Sequence, residues 1–73
     1  MIVSKVKYQM EKKSMTYEAL QQITGLDSKT ITRARGELIS ECRLSTLESI
    51  ARALQIRIVD LFEEEFIDAT GNV

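Results

Sequence analysis

Apolar residues recur along the chain at three- and four-residue spacings, and no segment alternates apolar and polar positions strictly over the length of a strand. Val3, Val6 and Met10 predict a first helix near residues 2–13. Tyr17, Leu20 and Ile23 predict a second over 16–24, with Thr16 as its N-cap and Gly25 at the position where a left-handed residue ends a helix. Asp27 or Ser28 is placed to cap a third over 28–35, which turns Ile31 and Ala34 inward and stops at Gly36. Residues 36–44 read as an irregular connection with Leu38 and Ile39 tucked beneath it. Ser45-Thr46-Leu47-Glu48 has the spacing of a capping box, and Leu47, Ile50, Ala51 and Leu54 continue it as one apolar stripe of a fourth helix. A fifth helix is predicted over 58–65 with Ile58, Leu61 and Phe62 inward. The expectation is an all-α, compact five-helix domain over 1–65, with a C-terminal tail over 66–73 that is frayed or held in a dimer contact.

The second and third helices are separated by a short turn containing Gly25, and that is the layout of a helix-turn-helix. In such a pair the first helix crosses a DNA backbone, and the second lies in the major groove with its N-terminal residues at base edges. Leu20, Ile23, Leu26, Ile31 and Ala34 are spaced to lock the two helices together. That leaves Ser28, Lys29, Thr30, Thr32, Arg33 and Arg35 facing outward, a set of hydroxyls and long cations with no acid among them. Lys and Arg donate to guanine O6 and N7, and Thr hydrogen-bonds or touches a thymine methyl. The open amides at the start of the helix suit a phosphate.

Composition narrows the alternatives. At 73 residues the chain is one small domain whose function sits on a surface and not in a deep cleft. With no His, a Ser or Cys nucleophile lacks its usual base and a metal lacks its commonest nitrogen ligand, so neither catalysis nor a metal or cofactor is expected. One cysteine, Cys42, makes no intrachain disulfide and fits a reducing cytoplasm. It reads as a small, partly buried residue. No stretch is apolar enough to span a membrane, and Met1–Val3 is too short for a signal-peptide core. Met10 and Met15 read as core filler, and Lys5, Lys7, Lys12 and Lys13 as solvated surface.

The ordered stretches Met15-Thr16-Tyr17-Glu18-Ala19-Leu20, Thr24-Gly25-Leu26, Lys29-Thr30-Ile31-Thr32-Arg33, Leu47–Leu54 and Ile58-Val59-Asp60-Leu61-Phe62 resemble the lambda-repressor-like helix-turn-helix family, the XRE type of phage repressors, Cro proteins and small bacterial regulators. The resemblance implies a cytoplasmic, sequence-specific transcriptional regulator, a repressor above all, acting as a homodimer on a double-stranded operator. It implies base contacts from Ser28, Lys29, Thr30 and Arg33. Phosphate contacts then fall to Tyr17, where the family often has Gln, and to Thr32, Arg35 and Arg43. Gln21 stands where the family prefers Ala, Arg35 where an acid is common, and Gln55 where Gly usually follows the fourth helix. The same fold also serves as a protein-interaction module, an antitoxin or an anti-repressor partner. A dimer surface is expected at the fifth helix and tail, since Phe66 and Ile67 have no obvious place in the core.

The charge count first argues against DNA: 10 Lys+Arg oppose 11 Asp+Glu. The total conceals an uneven distribution. Residues 1–59 carry all 10 cations and 6 acids, net +4, while residues 60–73 carry 5 acids and no cation, net −5. DNA affinity is therefore expected from a few placed cations and not from bulk positive charge. Glu63-Glu64-Glu65 reads as a solubilising surface, the alternative being that it keeps DNA off the distal face.

Overall fold

The computed structural model describes residues 1–66, so the expectations for Ile67 and the rest of the tail lie outside the described residues. A short strand, β1 (Ile2–Ser4), leads into α1 (Val6–Lys12), α2 (Tyr17–Thr24) and α3 (Ser28–Arg35). A 3-10 turn at Glu37–Glu41 connects to α4 (Leu44–Leu54). A second 3-10 turn at Ile58–Leu61 runs into β2 (Phe62–Glu64), which pairs antiparallel with β1 in the register Ile2 to Glu64, Val3 to Glu63 and Ser4 to Phe62. No helix among the described residues is long and apolar enough to cross a membrane.

The molecule is mostly helical, as expected, but the described residues form four α-helices and a two-stranded sheet in place of the five helices expected. The first helix begins at Val6, not at residue 2, and the expected fifth helix is a 3-10 turn over Ile58–Leu61 and a strand over Phe62–Glu64. Both changes have one cause. Ile2 and Val3 are β-branched and their backbone partners lie about sixty positions away, a pairing that local periodicity does not register. Ser4 then serves as a junction: its hydroxyl accepts from the Val6 amide at 3.3 Å and donates to the Ala34 carbonyl at 2.6 Å. The start of α1 is thus tied to the end of α3. At the other edge, the Gln9 amide donates to the Asp60 carbonyl at 3.1 Å, and Lys5 pairs with Glu63 at 3.2 Å.

One apolar core holds these elements together. Val6, Leu20, Ile31, Ala34, Ile39, Ile50, Leu54 and Leu61 are sealed from solvent, with Met10, Leu47 and Ala51 beside them. Each predicted stripe thus supplies its buried members, but three positions differ. Ile23 is 59% exposed, because its flank of α2 borders only a shallow hollow with Ser49, Arg52 and Ala53 of α4. Leu38 is 49% exposed while its neighbour Ile39 is buried, since a single turn can aim only one of two adjacent side chains inward. Phe62 is half-buried in β2 and not on a helix face.

The capping predictions divide. Thr16 accepts from the Ala19 amide at 3.1 Å and Gly25 takes the left-handed conformation at φ 74°, both as expected. The box predicted at Ser45 does not form. The turn closing on Cys42 leaves Cys42 and Arg43 extended, so α4 begins two residues early, at Leu44, with Arg43 in the cap position and no side-chain cap. Ser45 is already helical, and its carbonyl accepts from the Ser49 hydroxyl at 3.2 Å. α4 ends at Gln55 in the left-handed region, φ 59° and ψ 43°, where glycine is the usual residue.

Candidate nucleic-acid interface

The site is the outer face of α3, and its presentation follows from what precedes it. Gly25 reverses the chain after α2, and Thr24 steadies the turn by donating to the Leu20 carbonyl at 2.7 Å and accepting from the Leu26 amide at 3.2 Å. Asp27 then caps α3: its Oδ1 accepts from the Thr30 amide at 2.8 Å. Hydrogen bonding to Thr30 holds the Asp27 carboxyl below its usual range, with Lys29 and Arg33 adding to the fall. One of the amides expected to be open to a phosphate is therefore already occupied by this cap. Ile31 and Ala34 anchor the helix in the core, which turns the remaining positions outward.

Ser28, Lys29, Thr32 and Arg33 are exposed, and Thr30 and Arg35 are half-buried. No ion pair among the described residues involves Lys29, Arg33, Arg35 or Arg43. Lys29 and Arg33 feel the Asp27 carboxylate only at longer range than an ion pair.

Two hollows flank α3. On one side Thr30 and Arg33 share a hollow with Glu41, Cys42, Arg43 and Thr46. This brings two of the four expected base readers together with the expected loop cation, and adds Thr46 from the uncapped first turn of α4. On the other side Thr32 and Arg35 share a hollow with Lys7 and Gly36. Lys7, expected as solvated surface, is exposed, and it stands beside α3, a placement that its local spacing does not show. Among the α1 cations, Lys5 is paired with Glu63 and Lys12 lies 6.0 Å from the Tyr8 ring centroid, while Lys7 stands beside α3. Periodicity alone placed Lys7 off the apolar stripe, and nothing local marked which helix it would adjoin.

Tyr17 is held by α3. Its hydroxyl oxygen lies 2.5 Å from the Ser28 carbonyl oxygen and 2.8 Å from Thr32 Oγ1. A carbonyl only accepts, so the Tyr17 hydrogen goes to Ser28, and Thr32 must donate in the second bond. Both hydroxyl hydrogens are thereby engaged inside the protein, whereas the phosphate contacts expected of Tyr17 and Thr32 require them free. The Arg35 guanidinium lies over the Tyr17 ring, 5.4 Å from its centroid.

Cys42 borders the first hollow half-buried, its Sγ 3.8 Å from the Leu38 carbonyl. Burial pushes its thiol up, the Arg33 guanidinium opposes the shift, and Glu41 adds to it. The thiol is thereby kept in its less reactive, protonated form.

A short capped helix anchored by two core residues, joined to its partner by a left-handed glycine and presenting hydroxyls and cations that no described residue holds in an ion pair, defines a helix-turn-helix DNA-binding domain. The family model of the Cro/C1-type HTH DNA-binding domain matches residues 5–66, and the chain belongs to that family. It is a DNA-binding regulator of that class. No curated protein and no solved structure matches the chain.

Proposed function

We propose that the protein is a sequence-specific repressor that inserts α3 into the major groove of a double-stranded operator. The observation that carries this reading is the outward face of α3, where Ser28, Lys29, Thr30 and Arg33 combine hydrogen-bonding groups with cations that no described carboxylate neutralises. Arg33 is the strongest base reader of the set, because a guanidinium fork matches guanine O6 and N7 in a bidentate contact. Arg43 from one hollow and Arg35 with Lys7 from the other grip phosphates on either side of the inserted helix. These contacts set register, and α3 reads sequence.

An eight-residue helix spans only a few base pairs, so useful specificity calls for a homodimer on two half-sites about one helical turn apart. The apolar side chains left outside the core on the acidic end, Val59 at 56% exposed and Phe66 at 90% exposed, favour that end as the dimer surface. The protein acts in the cytoplasm, where the DNA is, as a binding module with no catalytic step.

In vitro selection from random duplexes with the purified protein tests the reading. A recovered motif with two-fold symmetry supports it, and Arg33→Ala should then weaken the selected site by about 1–3 kcal/mol and relax one base position. A parent protein with no salt-dependent DNA binding would refute it. Capture of a toxin or a regulator in place of DNA would favour the antitoxin or anti-repressor role.

A further inference from the structure

Three groups from α3 converge on one side chain of α2. Tyr17 occupies the first position of α2 and packs against the core with its ring half-buried. Its hydroxyl meets the Ser28 carbonyl at 2.5 Å and the Thr32 hydroxyl at 2.8 Å, and its ring lies beneath Arg35. A phenol has one hydrogen, and here a carbonyl takes it. A phosphate oxygen only accepts, so it has no donor left to bind at Tyr17.

We propose that Tyr17 is a positioning residue for sequence readout, a latch that fixes the first turn of α3 against α2. The inference rests on the DNA-binding reading of α3. The latch closes on Ser28, the first residue of the helix, and on Thr32 one turn later. Between them lie Lys29 and Thr30, and Arg33 follows. An eight-residue helix is too short to hold its ends by backbone bonding alone, so its exposed first turn depends on the Asp27 cap and on this latch. Base-edge contacts demand well-placed donors and acceptors, whereas a cation finds a phosphate over a range of positions. Loosening the first turn therefore acts on discrimination between sequences. A lost phosphate donor would instead weaken every duplex alike.

Tyr17→Phe isolates the hydroxyl, because the ring and its stack with Arg35 remain. The first measurement needs no DNA. In the full-length variant, amide hydrogen exchange at Ile31 and Thr32 should speed up by about 2- to 10-fold, the worth of one hydrogen bond. Thr32→Val, which removes the other hydroxyl at nearly constant shape, should loosen the same amides. Unchanged exchange in both variants overturns the latch. The second measurement compares Tyr17→Phe with the parent on the selected duplex and on a scrambled duplex of equal length, at one salt concentration. The ratio of the two affinities should fall by about 2- to 10-fold. Equal losses on both duplexes would make Tyr17 a phosphate donor and overturn the proposal. A parent that selects no sequence would refute DNA readout itself, and the exchange measurement would still decide whether the latch exists.

Discussion

Gln55 ends α4 in a conformation that an L-residue adopts at a cost, and replacing it with glycine should stabilise the protein. Its backbone sits at φ 59° and ψ 43°, in the left-handed region. The Ile56 amide reaches back to the Ala51 carbonyl at 3.0 Å, and the Gln55 amide bonds the Arg52 carbonyl at 3.1 Å. This is the bond pattern of a Schellman motif, and half-buried Ile56 packs on the core behind it. The conformation is therefore held by contacts on both sides of Gln55, while the exposed side chain of Gln55 makes no hydrogen bond or ion pair with a described residue. A side chain at such a position costs about 1–2 kcal/mol through the clash of Cβ with the following carbonyl. Glycine removes that clash but adds about 0.4–1 kcal/mol of freedom to the unfolded chain. The net gain for Gln55→Gly is about 0.5–1 kcal/mol, which raises Tm by about 2–8 °C in a domain of this size. Thermal unfolding followed by circular dichroism, at one protein concentration, measures it. Gln55→Ala is the control: it keeps Cβ, discards the amide and should change stability by no more than about 0.5 kcal/mol. A neutral or destabilising Gln55→Gly would refute the reasoning, as would a Gln55→Ala that matched it. Ser14, left-handed at φ 55° after α1, should respond to glycine with the same sign.

Three further outcomes follow from the site and the core. Asp27 is held below its ordinary carboxylate range by its hydrogen bonds to Thr30, so its cap is intact above that range and is lost as pH falls through the lowered value. Asp27→Asn should flatten this acid loss in a Tm-against-pH series, and an unchanged acid limb would dismiss Asp27 as its source. Ile39→Ala should cost about 2–5 kcal/mol in urea unfolding, because Ile39 is sealed in the core, while Leu38→Ala should stay within about 1 kcal/mol. Similar losses at both positions would contradict the division of that turn into an inner and an outer face. Lys7→Ala and Arg35→Ala should each make the log–log salt dependence of DNA binding shallower by about one unit, while Arg52→Ala, paired with Glu48 at 3.7 Å, should leave the slope alone. Unaltered slopes for Lys7 and Arg35 would remove that hollow from the phosphate contacts.

The helix-turn-helix was legible because its signals are local. A capping Thr16, a glycine at the left-handed turn, a capping Asp27 and apolar residues at helical spacing are all set by neighbours within a few positions. The cations and hydroxyls of α3 were legible for the same reason, since Ile31 and Ala34 determine which side of one short helix faces out. The capping box at Ser45 misled because its spacing is correct but the preceding turn delivers the chain into α4 two residues earlier. The same blindness to what lies outside a segment hid the placement of Lys7 beside α3.

By itself, then, the sequence determined where the two motif helices begin and end, which of their faces are apolar, and that positive charge is confined to residues 1–59. Tertiary structure alone decided that residues 2–4 and 62–64 pair as strands, that Lys7 joins Arg35 beside α3, and that the hydroxyl of Tyr17 closes on Ser28 and Thr32. The physical reason is range. Capping, turn geometry and helical periodicity act over three or four residues, whereas strand pairing and contacts between helices depend on which distant segments the core brings together.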